Sequence, residues 1–100
     1  MIGLTLKTKY SVDFTTKFKN QLKKSIKQGK DISKLLEVVE QLANKEKLSF
    51  KYKDHVLMTD KNYQNCWKCH IEPDWLLFYQ YHDEKIILLL IATGSHSDLF

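Results

Sequence analysis

The stretch WLLFYQYHDEKIILLLIA, residues 75–92, decides the fold. Trp75 to His82 is dense in aromatic and aliphatic residues, the composition of a strand. Asp83-Glu84 supplies a tight turn. Ile86 to Ala92 is a continuous apolar run, expected as a strand in the middle of a sheet and far too short to cross a bilayer. Just upstream, Glu72-Pro73-Asp74 must break the chain, because proline fixes its own backbone and restricts its predecessor. Cys66 to Ile71 before that break reads as another strand. Strands joined by such short connections form an antiparallel meander.

Further toward the N-terminus the periodicity changes. Phe14, Phe18, Leu22 and Ile26 recur every fourth residue, with Lys19, Lys23, Lys27 and Lys30 on the other side. This is an amphipathic helix that Ser11 or Asp13 can start and Gly29 can end. Asp31 can cap a second helix with an apolar stripe of Ile32, Leu35, Leu36, Val39, Leu42 and Ala43. Their short connection predicts a helical hairpin. Alternation at Ile2, Leu4 and Leu6 predicts a strand before it. Leu48 to Leu57 reads as an extended connector, Asp60 to Asn65 as a polar turn, and Thr93 to Phe100 as a polar loop. The expected architecture is α+β in the order β-α-α-β-β-β: a small twisted antiparallel sheet, one face covered by the helical hairpin and the other open to a ligand.

A chain of 100 residues is one domain, 1–100. It shows no signal-peptide core, so a cytoplasmic protein is expected. Residues 1–50 carry eleven lysines against five acids, and residues 51–100 five lysines against seven acids. A basic half suits a polyanion or an acidic partner, although a lysine stripe also serves solubility. All sixteen basic residues are lysine, so phosphate contacts lack the bidentate fork of arginine.

Three of the four histidines lie in polar, turn-adjacent settings: His55 in Tyr52-Lys53-Asp54-His55, His70 at the end of Cys66-Trp67-Lys68-Cys69-His70, and His96 in Thr93-Gly94-Ser95-His96. Imidazoles exchange protons near neutral pH. Two of them flanking a phosphodiester suffice for metal-free RNA cleavage, one taking the 2′-hydroxyl proton and the other protonating the leaving 5′-oxygen. Asp74 could orient a histidine or act as a base, and Trp75 could stack on a nucleobase or belong to the core. The run from Cys66 to His70 also fits the C-x-x-C-H attachment motif of c-type haem, or part of a zinc site. Strand alternation argues against both, since it sends residues 66, 68 and 70 to one face and 67, 69 and 71 to the other. No cofactor is expected.

Several segments resemble the YafQ family of bacterial toxins, within the RelE superfamily. They are Tyr52-Lys53-Asp54-His55, the run from His70 through Glu72-Pro73-Asp74-Trp75 to Leu77, the ending Thr93-Gly94-Ser95-His96-Ser97-Asp98-Leu99-Phe100, and Asp31 to Val39. The resemblance implies a RelE-like microbial RNase fold. It also implies a ribosome-dependent endoribonuclease that cuts mRNA and is silenced by a cognate antitoxin of the DinJ or RelB kind, with no membrane partner. It places functional positions at His55, His70, Asp74, Trp75, His96 and Phe100; Lys53 and Lys68 are candidate RNA contacts that could partly substitute for arginines. On this basis His55 and Asp74 are expected as base and orienter, His96 as general acid, and His70 as phosphate or proton partner. The chain departs from the family pattern where Trp67 and Ala92 replace arginines, which suggests as an alternative a catalytically weak binding module working through RNA or an antitoxin complex.

Overall fold

The computed structural model describes residues 8–57, 63 and 65–100. The strand expected at Ile2, Leu4 and Leu6, and most of the turn expected between Asp60 and Asn65, lie outside these residues. The described elements are β1 (Ser11–Phe14), α1 (Thr16–Lys27), α2 (Ile32–Ala43), β2 (His55–Val56), β3 (Trp67–Glu72), β4 (Trp75–His82), β5 (Ile87–Gly94) and the single turn α3 (His96–Leu99). Short 3-10 turns occupy Phe50–Tyr52 and Asp83–Lys85.

The α+β class and the helical hairpin stand. The strands line up in the order β1-β5-β4-β3-β2. The meander from β2 to β5 is antiparallel as expected, but β1 lies parallel to β5 at the edge. Ser11 and Asp13 therefore belong to this strand rather than to a helix start; Thr15 caps α1, its side chain accepting from Phe18 N at 3.0 Å. Ser11–Phe14 pairs with Ile87–Leu90, a partner more than seventy residues away that no local pattern announces. β5 is an interior strand, flanked by β1 and β4, and the middle position belongs to β4.

The end of α1 and the start of α2 fall where the sequence says. Gly29 adopts φ +83°, and Lys30 N and Gly29 N donate to Ser25 O and Ile26 O in a Schellman closure of α1. Asp31 caps α2 by accepting from Ser33 N at 3.0 Å.

Alternation along β4 divides two hydrophobic layers. Trp75, Leu77 and Tyr79 face the helices and pack with Phe18, Leu22, Leu35, Val38, Val39, Leu42, Cys69, Leu88 and Leu90. Leu76 and Phe78 face the other way and pack with Tyr63, Cys66, Ala92 and Leu99. The second face is thus not left bare, as the open-face expectation had it: the C-terminal turn covers part of it. What remains accessible lies beside that cover, over β3 and the turn after it.

Candidate active site

The break at Glu72-Pro73-Asp74 and the turn at Gly94-Ser95 meet at one end of the β3–β4–β5 meander. His70 projects from β3 just before a register shift between His70 and Glu72, which re-aims the strand into the proline turn. The turn sets Asp74 beside the N-terminus of α3. There Asp74 Oδ1 accepts two hydrogen bonds from His96, from the backbone N at 2.9 Å and from ring Nδ1 at 2.7 Å. These bonds hold the Asp74 carboxyl below its ordinary pKa, so it is ionised at neutral pH. A carboxylate only accepts, so Nδ1 of His96 carries hydrogen and Nε2 faces away, free to exchange a proton.

His70 lies across from His96, ring centroids 5.8 Å apart. Its Nδ1–H donates to Pro73 O at 3.3 Å, which leaves Nε2 as the open nitrogen. Partial burial pushes the His70 pKa down, the Pro73 bond opposes this, and Lys68, His96 and Lys53 add repulsion that lowers it further. His70 is therefore a neutral imidazole at pH 7.

α3 owes its existence to side chains. Ser95 Oγ accepts from Asp98 N, and Asp98 Oδ2 accepts from Ser95 N, a reciprocal capping box. Lys24 on α1 reaches Asp98 Oδ1 at 2.7 Å; this contact and the Ser95 bonds draw the Asp98 carboxyl down to about 2. The tail expected as a loop is thus a pinned helical turn, and the Ser95-x-x-Asp98 spacing was the signal available for it. Below, Thr93 is fully buried: its hydroxyl accepts from Trp75 Nε1 at 2.9 Å and donates to Leu76 O at 2.7 Å, and its N donates to Gln21 Oε1 at 2.9 Å.

The expected site residues divide accordingly. His70, Asp74 and His96 converge, and Phe100 joins them, its ring stacked near His96 at 6.5 Å and packed on Tyr63 and Phe78. Lys68 points to the same face, its Nζ 6.0 Å from the centre of the Phe100 ring. His55 sits opposite Lys68 across the β2–β3 pair, exposed, its Nδ1 2.7 Å from Lys53 O. Asp74 hydrogen-bonds to His96, which makes His96 the imidazole it can orient. Trp75 is fully buried under the site with its indole N–H bound to Thr93, so no ring face is open to a base. It braces the site from the core.

Cys66 and Cys69 are buried in opposite layers, and His70 lies at the accessible end. Burial pushes the Cys69 thiol far up. Among the described residues no three His, Cys, Asp or Glu side chains gather as metal ligands. At the two positions lacking arginine, Trp67 stacks on Tyr79 toward the helices and Ala92 is buried in the second layer. The cations nearest the histidines are lysines.

Comparison with known proteins places this arrangement. The family model described as the bacterial toxin of type II toxin–antitoxin system, YafQ, matches residues 10–100. The mRNA interferase toxin YafQ of Escherichia coli BL21-DE3 is 34% identical over 94 residues, spanning 89% of this chain and 94% of the relative. A crystal structure of a metal-bound toxin from Helicobacter pylori superposes with a TM-score of 0.83 at 38% identity, covering 91% of this chain and 99% of the other. YafQ in the E. coli DinJ–YafQ toxin–antitoxin complex gives 0.79 at 31% identity, covering 92% and 98%.

Proposed function

The chain belongs to the YafQ family of type II toxin–antitoxin toxins, and from that premise we propose that it is an mRNA-cleaving endoribonuclease acting on message held in the ribosome, by acid–base chemistry without a metal. We infer that a cognate antitoxin neutralises it, since its E. coli relative is found in a DinJ–YafQ toxin–antitoxin complex.

The observation that carries the mechanism is the pairing of two unlike imidazoles. His70, kept neutral by its surroundings, takes the proton from a ribose 2′-hydroxyl at Nε2. The 2′-oxygen attacks the adjacent phosphorus, and the bond from phosphorus to the 5′-oxygen breaks. His96 donates a proton from Nε2 to that leaving oxygen, while the Asp74 carboxylate holds its ring in place through Nδ1. The products are a 2′,3′-cyclic phosphate and a 5′-hydroxyl end. Lys68 and Lys53 offset charge on the phosphate, His55 contacts it from β2, and Phe100 supports the nucleotide.

The test is induced expression with mapping of mRNA 5′ ends. The parent arrests growth and yields cuts within codons ending in a 5′-hydroxyl. His96→Ala and Asp74→Asn lower single-turnover cleavage on programmed ribosomes by about 100-fold or more. A stable His96→Ala protein that cuts like the parent overturns the assignment. Because the Helicobacter pylori relative was crystallised with metal, a chelator arm is included: cleavage persists in EDTA, and its loss with rescue by added metal refutes the metal-free step. Tight antitoxin binding without any cuts favours the binding-module alternative.

A further inference from the structure

Beyond the 2.7 Å contact of its Nδ1 with Lys53 O, His55 has little local support. β2 is two residues long, lies at the sheet edge, and exposes both His55 and Val56. So short a strand specifies its register weakly, and a slip by one residue turns each side chain to the opposite face. Just before it, Lys53 takes a left-handed φ of +49°.

The next residue is anchored deeply. The half-buried Asp54 carboxylate accepts a hydrogen bond from the Tyr79 hydroxyl. Tyr79 is fully buried on β4, stacked by Trp67 and edged by Tyr81, so its hydroxyl is a fixed point. Asp54 thus points to the helix side of the sheet, and alternation sends His55 to the side of Lys68. A carboxylate is a costly anchor there. Burial pushes the Asp54 pKa up, against the Tyr79 hydrogen bond and the attraction of His55. An apolar residue would fill the space more cheaply, but it would have no direction.

We propose that Asp54 and Tyr79 are a positioning pair that holds His55 on the active face of the sheet. As a statement about cleavage this rests on the reading of His55 as a phosphate-contacting group.

The experiment compares Asp54→Ala, Asp54→Asn, Tyr79→Phe and His55→Ala, using single-turnover cleavage of mRNA on programmed ribosomes and imidazole NMR of the toxin. Asp54→Ala and Tyr79→Phe slow the saturated rate about 10- to 100-fold, the scale of a misplaced group, with half-saturation nearly unchanged. Asp54→Asn keeps an oxygen for the Tyr79 hydroxyl and retains most of the rate. Adding Asp54→Ala to His55→Ala slows cleavage no further. The His55 ring signals shift in Asp54→Ala and Tyr79→Phe, while those of His70 and His96 stay in place. Parental rates with parental His55 signals overturn the proposal, as does equal disturbance of all three rings. If His55→Ala cleaves like the parent, the catalytic reading of His55 fails instead, and the ring signals alone decide the placement.

Discussion

His70 and His96 are one side chain type in two electrostatic settings. His96 faces a carboxylate, whereas His70 faces burial and the cations Lys68, His96 and Lys53. Titration of stability reports on His70. The folded pKa of His70 lies below the ordinary 6.5, so between the two values the unfolded chain binds more protons. Stability therefore is fully present above that window, and falls as pH drops from 6.5 through the folded value. Asp98 acts further down: its contribution is present above 3.8 and lost as pH falls toward about 2. Urea unfolding against pH shows both declines, and His70→Gln removes the upper one. Replacing Lys68 by Met takes away part of the repulsion, so the His70 midpoint rises in a histidine NMR titration. A midpoint that falls or stays fixed contradicts this account. The histidines were legible as residues in the sequence; their partners were not, because Asp74 and His96 meet only through the β4–β5 pairing.

At the scale of elements, α3 and the start of β4 carry the site. A one-turn helix has no stability of its own, so its capping box, the Lys24 contact and the Gly94 approach hold it. Gly94 has φ +155°, and a Cβ there would stand 3.1 Å from Asp98 Cβ and 3.3 Å from its Oδ2. Gly94→Ala is expected to cost about 1–3 kcal/mol in denaturant unfolding and to impair cleavage as well, since the strained turn is what seats His96. Trp75→Phe breaks the bond to Thr93 and leaves RNA affinity unchanged, at about 1–3 kcal/mol of stability. A loss of RNA affinity at full stability would return Trp75 to the binding surface. The helices were readable because their caps and stripes are local. β1 was misread as a helix start because its partner is β5, and the tail as a loop because four residues are too few to show a period.

For the whole molecule, the sheet separates two cores with different duties. The helix-side core contains Phe18, Leu35 and Tyr79, all fully buried, and provides most of the packing. Phe18→Ala is expected to cost about 3–5 kcal/mol and to lower the melting temperature sharply, measurable by calorimetry. His96→Ala, at an exposed position, leaves melting nearly unchanged while removing cleavage. A variant pair in which both quantities fell together would tie activity to stability and deny the division. The smaller core of Tyr63, Phe78, Ala92 and Leu99 fastens the C-terminal turn over the sheet, leaving the histidines at its margin.

The sequence by itself determined the helical hairpin, the meander from β3 to β5, the alternating sides of β3, and the identity of the titratable groups. These follow from periods of two and about 3.6 residues and from caps within a few positions. Only the tertiary structure decided that β1 runs parallel to β5, that Trp75 is core, that Asp74 orients His96, and that Asp54 reaches Tyr79. Each of these joins residues at least eighteen positions apart, and a local pattern carries no information about which distant strand will supply the partner.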